Sequence, residues 1–211
     1  MTSATVVAVN VGRGKPMPTK SGVSSIDKRA AQGRVAVRLL GLDGDSQTDT
    51  ANHGGPEQAV YAYATEDLDD WAGMLGRDLR PGQFGENVST RGLDVTGALI
   101  GETWRIGTTL LQVTRPRIPC VVFQDWLAEP HWVKRFTDDG RPGAMLRVLE
   151  EGEIGAGDDL VIEDRPDHDV TIGLVFRAKT TDRSLIPRML AAPQLTTVDY
   201  QFALRYTEEN S

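Results

Sequence analysis

A chain of 211 residues with one cysteine, Cys120, cannot close an internal disulfide and has no CxxC pair for a redox site. It also lacks an apolar run long enough to cross a bilayer, and a basic segment leading into an apolar one of the secretory kind. A cytoplasmic location with a reduced thiol is therefore the expectation. Cations are outnumbered, with 23 Lys and Arg against 30 Asp and Glu, for a formal charge of −7. That balance argues against nucleic acid and anionic membranes as partners, yet a local basic pocket for a small anion stays compatible with it. The Walker A loop, the GxSxG elbow and the HExxH pair are absent, and so are internal repeats and low-complexity tracts.

What is present is an ordinary globular composition, 39% apolar and 25% charged, enough for one full core. Short β-branched runs separated by Gly-rich turns predict strands at 4–11, 35–40, 58–64, 84–90, 103–107, 109–115 and 158–164. Leu68, Trp71, Ala72 and Leu75 share one face of a helix over 66–75, with Thr65 as its expected N-cap. Residues 125–137 suggest two short helical pieces broken at Pro130, and 184–190 and 198–205 suggest two more helices. VTIGLVFRA before them fits strand or helix equally well. Many short strands with Gly-rich turns favour a closed or partly closed β-barrel over a βαβ sheet. The change of character near Pro166 places a barrel domain at 1–166 and a small C-terminal helical extension at 167–211.

Three loop clusters stand out, since functional residues collect on loops held by a rigid scaffold. GLDGDSQTDTANHGGPEQAVYAY brings His53 beside Gly54 and Gly55, where a backbone without Cβ atoms can approach a ligand closely. Taken alone, that segment is also compatible with a tight turn and a surface histidine. PGQFGENVS places Glu86 and Asn87 at the start of a strand and by itself describes a turn. RPRIPC restricts the backbone around Cys120 with Pro116 and Pro119, and puts Arg115 and Arg117 near the thiol. A buried cysteine is often an apolar filler, but positive neighbours favour the thiolate, which is both nucleophile and metal ligand.

SSIDK, GLDGDSQ, HGGPEQAVYAY, FGENVSTRGL and QVTRPRIPC occur in that order along nearly the whole chain, which in this respect resembles the MOSC-domain proteins of the YiiM type, relatives of the C-terminal domain of molybdenum cofactor sulfurase. The resemblance implies an α+β fold, a MOSC-type mixed β-barrel with peripheral helices and a small C-terminal helical extension, holding a pterin-based molybdenum cofactor with Cys120 bound to the metal. A thiolate suits molybdenum already held by the sulfurs of its pterin. Cofactor contacts are implied for Ser25, Lys28, Asp45, Gln47, His53, Gly54, Gly55, Glu86, Asn87 and Arg117, with Lys28, Arg117 and the HGG glycines suited to an anionic phosphate. Cys120, His53 and Asn87 are the implied catalytic set. The implied reaction is reduction of N-hydroxylated purines or amidoximes to amines. The chain has no cysteine set for an iron–sulfur cluster and no nucleotide fingerprint, so the electrons are expected from a separate flavin or iron–sulfur reductase. A cofactor carrier or sulfur-handling module without turnover, and a metal-free thiol enzyme using Cys120 with His53, remain alternatives. After Cys120 the sequence VVFQDW is more apolar than the lysine-containing continuation expected of such proteins.

Overall fold

The computed structural model describes residues 4–17, 22–46 and 54–210. Its strands are β1 (Ala4–Val11), β2 (Lys15–Pro16), β3 (Val23–Ser24), β4 (Arg29–Ala30), β5 (Val35–Arg38), β6 (Gly41–Leu42), β7 (Val60–Ala64) and β8 (Val88–Arg91), followed by β9 (Thr103–Ile106), β10 (Thr109–Pro116), β11 (Ala144–Glu150), β12 (Gly152–Ile154) and β13 (Asp159–Asp164). The helices are α1 (Thr65–Leu75), α2 (Val121–Leu127), α3 (Trp132–Asp139), α4 (Ile172–Thr180), α5 (Ile186–Met189) and α6 (Thr197–Glu209).

Seven strands close into a barrel in the order β1-β8-β7-β11-β10-β9-β13, and β13 returns to β1 through Ala4 opposite Leu160 and Thr5 opposite Asp159. Only β7 and β8 run parallel within this ring, which makes the barrel mixed. Closure leaves no free sheet edge, the usual difficulty of short, β-branched strands. Inward positions are aliphatic, among them Val6, Val60, Val88, Leu111, Val113 and Leu146, around a fully buried Trp104. The expected α+β barrel with peripheral helices is the observed architecture.

Several local expectations are corrected. Strand β11 was not among the strands expected, yet it pairs with both β10 and β7 and completes the ring. The strand expected over 84–90 starts only at Val88, because Glu86 draws the preceding residues into a turn. Thr65 is the first residue of α1 rather than its cap. Its hydroxyl donates instead to the Thr90 carbonyl at 2.9 Å, tying the helix to β8. VTIGLVFRA is helical: α4 sends Val175 into the barrel core and Phe176 into a second, aromatic core.

That second core holds Tyr63, Trp71, Phe84, Phe123, Trp132 and Phe136, mostly in tilted or edge-on contacts such as Trp71 to Trp132 at 4.5 Å between centroids. It joins α1, α2 and α3 to the outside of β7 and backs one wall of a cleft. The C-terminal helices pack on the barrel core through Val175, Ile186, Met189 and Ala203. Among the described residues no helix is long and apolar enough to cross a membrane.

Candidate functional site

Cys120 lies where β10 ends and α2 begins. Its backbone is extended (φ −133°, ψ 169°), and its carbonyl accepts from the amides of Phe123 at 3.1 Å and Gln124 at 3.3 Å. The prolines on either side of Arg117 rule out helix until Val121, so α2 starts one residue past the sulfur. The side chain is partly buried against the aromatic core and faces a cleft of about 850 Å³, measured with its open mouth.

Arg117 enters the same cleft. Its guanidinium lies 3.8 Å from the ring centre of Phe123 and 5.3 Å from that of Tyr61, and it donates to the Phe84 carbonyl. The two rings hold the planar fork in place, and among the described residues no carboxylate pairs with it. Arg115, expected to act beside it on the thiol, is turned away: its Nε is 3.3 Å from Asp199 on α6, a fully buried carboxylate that also pairs with Lys179. A register shift between Val113 and Arg115 and the end of the strand at Pro116 separate the directions of the two arginines.

Opposite them stands Lys28, only 7% exposed, with Nζ 2.5 Å from both carboxylate oxygens of Asp45. Burial pushes the amine below its usual range, and the Asp45 charge works against that fall. Asp45 also accepts from the Gly12 amide at 2.8 Å and from Asn87 Nδ2 at 2.9 Å. Asn87 donates its other amide hydrogen to the Asn10 carbonyl at 3.2 Å and accepts from the Tyr61 amide at 3.1 Å. Both amide hydrogens are thus taken within the protein and orient Asp45, and Asn87 and Asp45 both line the cleft.

Ser25 and Gly54 line the cleft; Gly55, outside the lining, caps the short 3-10 turn Pro56–Gln58 with φ at 82°. Glu86 does not reach the cleft. It is fully buried, accepting from the amides of Gly82 at 2.5 Å and Phe84 at 3.0 Å and from the Ser89 hydroxyl at 2.8 Å. Burial raises its pKa, and these hydrogen bonds counter the rise. It shapes the turn that presents Asn87 and the Phe84 carbonyl. That turn needs glycine at Gly82, where φ is +80° and a Cβ would come within 2.7 Å of the Lys28 carbonyl oxygen. His53 and Gln47 lie outside the described residues.

The structure adds Ser46, Gln58, Tyr61, Val122 and Met145 to the lining. Tyr61 and Gln58 lie in the QAVYAYA motif itself, and Val122 belongs to the apolar continuation after the cysteine, so their segments carried a signal. Met145 lies on β11, whose sequence carries no strand signal of its own. Among the described residues no three His, Cys, Asp or Glu side chains are grouped to hold a metal ion.

A barrel whose thiol opens on a cationic cleft is the setting in which the comparisons fall. The MOSC domain model matches residues 49–161, and an Escherichia coli protein named YiiM is 31% identical over 152 residues, covering 71% of this chain and 67% of its own; the chain belongs to the MOSC-domain family. Within the family it is of the YiiM type, since the crystal structure of YiiM from Geobacillus stearothermophilus superposes with a TM-score of 0.79 at 26% identity, covering 96% of this chain and 98% of that one. A Gibberella moniliformis protein named a reductase is 29% identical over 177 residues, which is 81% of this chain but 31% of that longer protein.

Proposed function

We propose that this protein binds a pterin-based molybdenum cofactor in the cleft and reduces N-hydroxylated compounds to amines. The observation that carries the reading is the convergence of one thiol and two cations on a single cleft: Cys120 and the ring-held Arg117 on one side, the buried Lys28 on the other.

The residues fit such a group. Its metal asks for a soft anionic donor, which Cys120 supplies, and its phosphate asks for fixed cations and open backbone, which Lys28, Arg117 and Gly54 supply. When bound, the cofactor provides the two-electron redox centre that cleavage of an N–O bond requires. Overall, N–OH with two electrons and two protons becomes N–H and water. Lys28 and Arg117 hold anionic groups from the two sides of the cleft. The apolar wall at Val122 and Met145 leaves room for the body of an N-hydroxylated purine or amidoxime. The electrons come from a separate flavin or iron–sulfur reductase. The name of the Gibberella relative agrees with reduction.

The test is metal and pterin analysis of protein made in a cofactor-competent host, followed by turnover with a chemical reductant and an N-hydroxylated purine. Stoichiometric molybdenum together with amine formation is the expected result. Full loading without amine would assign the protein as a carrier or sulfur-handling module, and protein free of molybdenum would reject both.

A further inference from the structure

The first 42 residues carry seven basic side chains and one acidic one, in a chain whose formal charge is −7. That acid, Asp27, is shared by three cations: Lys15 Nζ at 2.7 Å, Arg29 Nε at 2.8 Å and Arg80 Nη2 at 2.7 Å. Arg13, exposed and two residues before Lys15, adds a fourth positive charge with no carboxylate partner among the described residues. One carboxylate cannot neutralise this group, and Lys15 and Arg29 keep 59% and 61% of their side-chain surface in water.

The basic group borders the cleft. Lys15 lies opposite Ser24 in the β2–β3 hairpin, whose Val23 and Ser24 line the cleft. Ile26 and Lys28 line it as well, while Asp27 and Arg29, the residues that alternate with them, are on its outer side with Lys15 and Arg80. Exposed aliphatic side chains accompany the cations: Val23, and Ile118 and Val121 beside Cys120. The rim therefore combines positive charge with a little apolar surface next to the thiol.

We infer that this rim is the docking surface for an acidic electron-transfer protein, a small one-electron iron–sulfur carrier that delivers electrons to the cleft. The inference rests on the reductase reading. Charge complementarity selects the partner: the chain outside its first 42 residues carries a large excess of acidic side chains, so an acidic protein is drawn to this rim in preference to the bulk of the surface, which favours one orientation as well as attraction. A long polyanion such as nucleic acid would also meet that negative surface, whereas a compact carrier covers only the rim. Small, charge-steered interfaces form and separate quickly, as repeated electron delivery requires. Each N–O cleavage oxidises two one-electron carriers and takes two protons from solvent, giving N–H and water.

The experiment compares two reductants on molybdenum-loaded protein with an N-hydroxylated purine: reduced methyl viologen at saturation, and a reduced acidic [2Fe–2S] ferredoxin. In the Lys15→Glu/Arg29→Glu variant, viologen-driven turnover should stay near wild type while ferredoxin-driven kcat/KM at low salt falls about tenfold or more. For the wild type, added salt should slow only the ferredoxin reaction. Equal ferredoxin rates in variant and wild type overturn the docking surface, and so does a wild type that accepts electrons from viologen but not from ferredoxin. Failure of viologen as well sinks the reductase reading, and the docking surface with it.

Discussion

The Lys28 ammonium lies 2.5 Å from both carboxylate oxygens of Asp45. Asp45, which itself lines the cleft, is also held by Gly12 and Asn87, so the ion pair is fixed in place. In Asp45→Asn, burial of Lys28 loses its main compensating charge. The amine should then titrate still lower than in the wild type, so the cation disappears at lower pH as pH rises. Lysine Nζ NMR of the cofactor-free protein measures this; an unchanged Lys28 titration would show that the pair is not coupled.

Cys120→Ser should abolish reduction and lower molybdenum retention while the fold persists, since the change removes a soft donor from a partly exposed position and leaves the core filled. Metal content, turnover and thermal denaturation are measured together. A serine variant with bound molybdenum and wild-type activity would falsify the ligand assignment.

Arg117→Ala removes a cation held between Phe123 and Tyr61. A charge-assisted hydrogen bond contributes roughly 1.5 to 3 kcal/mol, so cofactor retention should weaken by about one to two orders of magnitude. Turnover per bound molybdenum should change far less. Arg117→Lys should restore retention only in part, because an ammonium cannot stack as a plane. Full occupancy with lost turnover would reject anchoring in favour of a catalytic role.

Away from the cleft, Asp67 on α1 is raised from 3.8 to about 6, chiefly by burial, although Arg141 Nη1 donates to it at 3.0 Å. Arg141 is held most strongly by Asp139, and what it lends Asp67 does not offset desolvation. With its folded pKa raised, Asp67 makes the native state bind more protons than the unfolded chain between those two values. Its contribution to stability is therefore lost as pH rises through that window. The melting temperature of Asp67→Asn relative to wild type should climb from about pH 4 to about pH 7. A difference that stays flat with pH would show that Asp67 ionises normally.

The sequence by itself determined the barrel class, most of its strands and the segment that carries the thiol, because these depend on local signals: β-branched runs, glycine turns, and prolines around Arg117 and Cys120. AMLRVLE hides its strand behind Met, Leu and Arg, which favour helix as readily, and only pairing with β10 and β7 decides it. VTIGLVFRA is apolar on every side because α4 is wedged between two cores, so periodicity could not name it. The candidate site divides in the same way. Lys28, Asp45 and Asn87 could each be suspected from their motifs, but that Asn87 holds Asp45 and Asp45 holds Lys28 is a relation across 42 and 17 residues. Arg115 and Arg117 look equivalent in RPRIPC; tertiary structure gives one to Asp199 and the other to the cleft, since a side chain's direction and partner follow from strand register and from the elements packed against it, which no local stretch of sequence encodes.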